Sequence, residues 1–501
     1  MPPQTPASPG ASAAAVEAAF EAARQDAVAA VRRHAAPAVE LGEVFAAAGH
    51  ELALVGGPVR DALLRRLGEH VVDLDFATSA RPEQTQALLA RWADAHWDIG
   101  REFGTIGARK GDVVVEVTTY RSDVYVPSSR KPAVQYGDTL EGDLSRRDFT
   151  VNAIALRVPS LEFVDPFGGV ADLARGLLRT PGSPEQSFDD DPLRMMRAAR
   201  FAAQLDVRVA PEVRAAMQDM AARIEIVSAE RVRTELVKLV VARRPRRGLE
   251  LMVDTGLADH VLPELPALRL EIDEHHRHKD VYQHSLTVLD QAIALEDGPE
   301  GPVPGPDFVL RFAAIMHDIG KPATRRFEPG GGVSFHHHEV VGAKLTAQRM
   351  KALRFDTATI KAVSKLVALH LRFHGYSEGQ WTDSAVRRYV TDAGPLLERL
   401  HRLTRSDCTT RNQRKAARLS AAYDHLERRI AELAEAEELA AIRPDLDGNE
   451  IIATLGVRPG PVVGRAYRFL LDRRMERGPV DPDVARAELL RWWQEQPESS
   501  A

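Results

Sequence analysis

Sulfhydryl chemistry is almost missing from this chain: its 501 residues include one cysteine, Cys408. That excludes an internal disulfide and points to a reducing compartment. Long apolar runs are missing too, and nowhere does the sequence approach the ~20 residues that a membrane span needs. The stretch from Met1 to Ala14 has neither the basic start nor the continuous apolar core of a secretory leader. A cytoplasmic protein without a membrane partner is therefore expected. Positive charge is not in surplus either. With 66 Lys and Arg against 72 Asp and Glu, the net charge of −6 does not advertise a nucleic-acid partner. Nor is there a repeat of fixed period.

What is present suggests several domains. A chain this long does not form one core, and about three or four domains are expected. Residues 1 to about 15 are rich in Pro, Ala and Ser and read as disordered. From Ala18 to Ala48, Ala, Glu and Val recur at helical spacing, predicting one or two amphipathic helices. An α/β unit follows: strand Leu52–Val55, helix Val59–Leu67, strand Val72–Ala77, and a helix Glu83–Ala95 behind Pro82. Thr105–Lys110 and Val113–Tyr120 flank Gly111-Asp112 and read as a β-hairpin. Past about residue 185 the strand signals fade. Segments Asp191–Leu205, Pro211–Ile224 and Ala229–Val241 are helical by period, the Pro/Gly-rich stretch from Gly298 to Pro306 is a loop, and the chain after about residue 420 is helical.

The most telling chemistry is a pair of acids in one short strand, Asp73-Leu74-Asp75. Strand alternation sends both carboxylates to one face, where they can clamp divalent cations. Just upstream, Val55-Gly56-Gly57-Pro58-Val59-Arg60-Asp61 runs from a strand through a glycine turn into a helix. That turn brings backbone N–H groups and an Arg beside the acids, as a nucleoside triphosphate requires. Glu116, in the second hairpin strand, either joins the Asp pair as a third carboxylate or faces outward; spacing alone leaves both open. Arg146-Arg147-Asp148-Phe149-Thr150-Val151-Asn152 concentrates Arg forks for phosphate with Asp and Asn for ribose hydroxyls. In Asp189-Asp190-Asp191-Pro192 the acids serve as caps and Pro192 suits the first turn of a helix in which Arg194, Arg197 and Arg200 recur every third residue. Such a row is either a solvated face or, with Met195, Met196 and Phe201 beside it, the border of a cleft. The clusters Arg243–Arg247 and Arg405–Arg418 divide the same way, between local grips on phosphate and solvated helix faces.

Together, Gly-Gly-x-Val-Arg-Asp, Asp-Leu-Asp, Arg-Arg-Asp-Phe-Thr-x-Asn-Ala, Asp-Pro-Phe-Gly-Gly and Asp-Asp-Pro-Leu-Arg-x-x-Arg resemble the bacterial class II tRNA nucleotidyltransferase/poly(A) polymerase family over residues 50 to 240. Arg231 to Leu239 resembles that family's last neck motif. The resemblance implies an α/β nucleotidyltransferase head, followed by an extended all-α body, acting on tRNA with CTP and ATP and with Mg²⁺ on Asp73 and Asp75. Glu116 would complete the catalytic acids. Gly57 and Arg60 would contact the triphosphate, Arg147 and Asp148 the nucleotide, Asp191 and Arg194 the base, and Arg197 and Arg200 the triphosphate or the template pair. An Asp accepts from the exocyclic amine of cytosine or adenine, whereas uracil and guanine present a carbonyl there. One departure is Asp190, where the family usually has Glu.

Downstream, Tyr282-Gln283-His284, His317-Asp318, His336-His337-His338-Glu339, His370 and Asp407 are spread over helical sequence. His and Asp in this mix suit one or two divalent metals; the bland reading is a set of capping or core histidines. These segments resemble the HD superfamily of metal-dependent phosphohydrolases over about residues 275 to 410. That resemblance implies His284, His317, Asp318 and Asp407 as ligands, a second divalent transition metal as cofactor, and His338 and His370 for a further ion. Leu446–Ile451 with Gly460–Gly464 resembles the tail of HD-bearing tRNA nucleotidyltransferases. The expected division is a disordered or helical extension (1–35), head (36–180), base-recognition neck (181–270), HD domain (271–420) and tRNA-contacting tail (421–501). Addition of C, C and A to tRNA is the expected activity. A poly(A) polymerase, an A-only enzyme, an HD phosphohydrolase and a non-catalytic RNA-binding module are the rivals. Oligomeric state is not legible.

Overall fold

Alternation decides the architecture of the first half. In chain order its strands are β1 (Leu52–Val55), β2 (Asp73–Thr78), β3 (Ala95–Gly100), β4 (Thr105–Lys110), β5 (Val113–Thr119), β6 (Arg121–Val124), β7 (Ala133–Tyr136), β8 (Ala155–Val158), β9 (Glu162–Val164) and the short parallel pair β10 (Leu177–Leu178) and β11 (Arg208–Val209). Seven of them form one mixed sheet in the order β3-β4-β5-β2-β1-β8-β9, while β6 and β7 pair separately. Within the sheet β2 and β5 are parallel; the other neighbours run antiparallel. These features belong to a computed structural model that describes residues 13–68, 73–100, 104–124, 133–269, 280–329, 332–373, 376, 381–410, 412–437 and 443–496. The chain divides into two units, Met1–Val261 and Leu262–Ala501.

The helices of the first unit are α1 (Ala13–His34), α2 (Ala36–Ala47), α3 (Gly57–Leu63), α4 (Pro82–Trp92), α5 (Leu140–Ser145), α6 (Gly169–Arg175), α7 (Pro184–Asp190), α8 (Leu193–Leu205), α9 (Pro211–Met220), α10 (Ala229–Val240), α11 (Pro245–Asp254) and α12 (Leu257–Val261). One face of the sheet packs Leu52, Leu54, Leu74, Phe76, Val115 and Val117 against Ala27 and Val31 of α1, Leu41 and Phe45 of α2, and Leu89 of α4. Each buried Leu or Phe of this kind stabilises the fold by ~1.5–3 kcal/mol. The other face is covered at one end only, where Ala53, Val55 and Ala77 meet Leu140 and Leu144 of α5. Because Ala77 falls under that cover while Asp73 and Asp75 stay exposed, the two acids open onto the bare end of the sheet.

Most predicted elements recur with shifted ends. The hairpin Thr105–Lys110/Val113–Thr119 forms with Lys110 opposite Val113, and its turn uses Gly111 at φ +59°. The helix expected over Glu83–Ala95 stops at Trp92, since Ala95 already pairs with Arg109 in β3. The helix expected from Asp191 begins at Leu193, with Pro192 as its N-cap and the short α7 ahead of it. The strand start at Val72 lies outside the described residues, as do residues 1–12 of the expected disordered start; residues 13–15 are already helical.

The second unit is helical: α13 (Val281–Ala294), α14 (Phe308–Met316), α15 (Lys321–Thr324), α16 (His338–Ala352), α17 (Thr357–Leu369), α18 (Asp383–Ala393), α19 (Leu397–Ser406), α20 (Gln413–Glu437), α21 (Gly448–Leu455), α22 (Pro461–Arg477) and α23 (Pro482–Gln494). Its only sheet among the described residues is the ribbon Arg326–Phe327 with Val333–Ser334. No helix among the described residues is long and apolar enough to cross a membrane.

Candidate functional site

At the open end of the sheet, the backbone ladder sets Asp75 directly opposite Glu116 on the parallel strand β5. Glu116 therefore stands on the face of the Asp pair, which resolves the alternative left open by spacing. The walls of the cleft partly desolvate Asp75 and raise its carboxyl above the usual range; Arg147 opposes the rise and Asp73 adds to it. Glu116 is raised as well, by burial first and then by Asp75 and Asp73. Two raised carboxylates with the Asp73 carboxylate beside them fit a hard divalent cation.

Asp75 and Glu116 form one wall of a cleft of about 510 Å³. Arg60, Arg121, Arg146, Arg147, Arg194, Arg197, Arg200 and Arg231 line it, against the acids Asp75, Glu116, Asp148 and Asp191. That excess of guanidinium suits a polyanion. The glycine-only position of the turn is Gly56 (φ +73°, ψ −128°); Gly57 opens α3, and both line the cleft. Arg60 is buried, with Nη1 donating to Asn152 Oδ1 (2.8 Å) and Nε to Asp61 Oδ1 (2.9 Å). Asn152 Nδ2 donates in turn to Asp148 Oδ1 (3.0 Å), and Arg197 Nε donates to Asp148 Oδ2 (2.7 Å). A continuous chain of charge-assisted bonds thus runs from the glycine turn to α8. The ring of Phe201 supports it, with Arg60 at 5.4 Å, Arg197 at 5.5 Å and Arg200 at 4.0 Å from its centroid.

All eight expected nucleotide-binding residues therefore converge on one cleft, but several are engaged with protein partners. Asp148 is buried and spends its oxygens on Phe149 N–H, Asn152 and Arg197. Arg194 donates to Ser187 Oγ (2.8 Å) and to the Arg146 carbonyl (2.7 Å). Arg147 gives Nη2 to Asp143 (3.1 Å), while its buried Nε has no partner among the described residues and remains a donor for a ligand. Sequence reasoning missed Asp143. Only 1% exposed, it takes bonds from both Arg146 and Arg147, and those cations hold it below the usual carboxylate range although burial pushes the other way. Its signal was available as an Asp three and four residues ahead of two arginines, at the end of one helix and just past it. The basic cluster at 243–247 follows the bland reading instead: Arg247 pairs with Asp206 and Arg246 with Glu250 (2.9 Å).

In the second unit, His317, His370 and Asp407 are each the residue that ends a helix, His338 begins one, and His284 lies on α13. The C-terminal ends of helices leave carbonyls without partners, and His317 and His370 use carbonyls of their own last turns, whereas His338 uses one that precedes its helix. Nδ1 of His317 lies 2.8 Å from Ala314 O, that of His370 2.7 Å from Val367 O, and that of His338 2.8 Å from Phe335 O. A carbonyl only accepts, so Nδ1 carries the hydrogen and Nε2 turns inward. The inward atoms form two groups, His284–His317–Asp407 and Asp318–His338–His370. Asp318 joins them, with Oδ2 3.3 Å from His317 and Oδ1 3.2 Å from His338. The buried Nε2 atoms of His338 and His370 have no hydrogen-bond partner among the described residues. Burial drives His370 down to about 3, leaving its Nε2 a bare lone pair beside a carboxylate. Burial would lower His317 too, but Asp318 and Asp407 outweigh it and push it up to about 10. Imidazole nitrogens and carboxylates gathered in two such groups fit divalent metals. His336 and His337 of the same run are exposed and take no part.

Comparison with known proteins places three families along the chain. Poly A polymerase head domain matches residues 52–179, the family described as probable RNA and SrmB-binding site of polymerase A matches 206–268, and HD domain matches 281–438. An A-adding tRNA nucleotidyltransferase of Deinococcus radiodurans is 35% identical over 461 residues, 89% of this chain and 96% of that one. A CCA-adding enzyme of Streptococcus pneumoniae is 44% identical over 219 residues, covering 44% of this chain and about half (53%) of its own. Among solved structures, the Bacillus stearothermophilus CCA-adding enzyme in complex with CTP aligns over 93% of this chain and 98% of its own. Its TM-score of 0.65 at 23% identity is a likeness of fold.

Proposed function

Since the chain belongs to the tRNA nucleotidyltransferase/poly(A) polymerase family and carries an HD domain, we propose that it adds C, C and A to the 3′ end of tRNA from CTP and ATP, releasing pyrophosphate. The observation that carries this reading is the single cleft in which Asp75 and Glu116 face the arginines of the glycine turn and of α8. Mg²⁺ held by Asp73 and Asp75, with Glu116 beside them, would lower the pKa of the attacking 3′-hydroxyl and neutralise the developing phosphate charge. The protein's own groups do the rest. Arg147, with its free Nε, Arg60 at the turn and Arg197 and Arg200 on α8 orient the triphosphate through forked donors. Asp191 accepts from the amine of cytosine or adenine while Arg194 donates to the ring acceptors, so uracil and guanine meet oxygen against oxygen. In this scheme residues 181–270 read the base and the tail after 420 grips tRNA.

A second reading has its own support: one relative matched along nearly its whole length, that of Deinococcus radiodurans, is an A-adding enzyme. One assay separates the two. tRNA lacking CCA and tRNA ending in CC are each offered CTP alone, ATP alone and both. Extension of the first by CTP supports CCA addition; extension of the second alone, by ATP alone, replaces it with A addition. The HD centre we read as an independent divalent-metal site acting on phosphoesters, on the strength of its inward lone pairs.

A further inference from the structure

Helix α10 carries Arg231 and Glu235 one turn apart, hence on one face. Both reach the neighbourhood of the cleft from outside the elements discussed so far. Arg231 Nη2 donates to Asp191 Oδ2 at 2.8 Å. The other oxygen of that carboxylate accepts the Leu193 N–H at the start of α8, at 3.1 Å. One donor alone would leave the carboxylate free to turn, because the torsion that rotates it has a broad minimum. Two donors on two different oxygens fix its plane. Each oxygen keeps a second lone pair, so a carboxylate held this way still accepts from a base. Arg194, its partner in base reading, needs no such help, being tied to Ser187 and to the Arg146 carbonyl. One turn further along α10, Glu235 is buried and accepts from Arg200 Nε at 2.6 Å, with Arg197 Nη1 at 3.7 Å. The same helix face therefore touches the base-reading acid at one position and the phosphate-facing arginines at the next.

We propose that Arg231 is a positioning residue that determines specificity: it locks the Asp191 carboxylate in the orientation that accepts from cytosine and adenine. The inference rests on the reading of Asp191 as the base-reading acid. Rejection of uracil and guanine demands an acid that cannot turn away from an incoming carbonyl. An Asp191 released by Arg231 relieves that repulsion by rotating, and the wrong bases enter. Glu235 acts on a different quantity, since Arg200 and Arg197 meet the part that all four nucleotides share. The side chain of Arg231 is 53% exposed, so its removal does not open the core.

The test uses the full-length protein with a tRNA acceptor and measures kcat and KM for CTP, ATP, UTP and GTP, alongside a melting curve. In Arg231→Ala the preference for CTP and ATP over UTP and GTP should fall about tenfold, the size of one lost charge-assisted hydrogen bond. Arg231→Lys, which keeps the charge and loses the fork, should recover part of it. Glu235→Gln should raise KM for all four nucleotides and leave their ratios alone. Asp191→Ala serves as the reference. If it alters the ratios while Arg231→Ala lowers all four efficiencies in proportion, the proposal is overturned and the base-reading assignment stands. A Lys variant no better than Ala also overturns it. If Asp191→Ala leaves the ratios unchanged, the assignment beneath falls, and this inference with it.

Discussion

Asp75 differs from an ordinary surface carboxylate because its surroundings resist its charge. Asp75 and Glu116 both sit above the ordinary carboxylate range, a strain that a divalent cation relieves. Asp73→Ala or Asp75→Ala should therefore remove several kcal/mol of transition-state stabilisation, roughly a thousandfold in rate. tRNA binding, measured by filter retention, should survive; near-normal addition in either variant would remove the head from consideration. Asp148 makes the opposite case. Burial works against its charge, but Arg197 and Asn152 hold it below the usual range. A depressed folded-state value contributes stability that is present above about pH 4 and is lost as pH falls through the folded value. Asp148→Asn should thus cost about 1.5–3 kcal/mol at neutral pH and flatten the acid limb of a urea-unfolding series; parallel wild-type and variant limbs would contradict this. The sequence announced these residue types and their spacing. It did not announce that Asp148 meets Arg197 or that Arg194 meets the Arg146 carbonyl, because those partners lie 49 and 48 positions away along the chain.

Elements were legible where a local period agreed with the tertiary demand. β1, with four apolar residues in a row, and the β4–β5 hairpin, with glycine at a left-handed turn, appear as read. Strand β3 was not legible, and its first residue, Ala95, was read as the end of a helix. Its residues Ala95-His96-Trp97-Asp98 carry no strong strand pattern, and pairing with β4 decides the outcome. The start of α8 shifted for a local reason: Pro192 caps the helix instead of lying within its first turn. The crossing of α8 by α11 was not legible at all. Gly248 makes it possible, for a Cβ there would lie 2.4 Å from the Ala199 carbonyl. Gly248→Ala should force the two helices apart and destabilise the head by about 1–3 kcal/mol. Because α8 carries Arg194, Arg197 and Arg200, nucleotide KM should rise with it. A variant as stable as wild type with unchanged KM would show that the crossing has slack.

At the scale of the whole chain, the two candidate centres use different ligand chemistry and belong to different units. Replacing His317 and Asp318 together by Ala should leave nucleotide addition largely intact and abolish metal-dependent hydrolysis of simple phosphoesters. Collapse of addition in a folded double variant would defeat that expectation. Adding a divalent transition metal should also raise the melting temperature of the wild type, by the free energy of ligand binding to the folded state alone, and leave the double variant unmoved. The origin of the HD ligands has one more consequence. They are collected from the ends or flanks of separate helices, and His284 meets Asp407 across 123 positions of chain. During synthesis His284, His317 and His338 leave the ribosome long before Asp407 does. A nascent chain therefore offers an incomplete His284–His317–Asp407 group until Asp407 emerges, and metal capture by that group would be a late event, gated by translation itself.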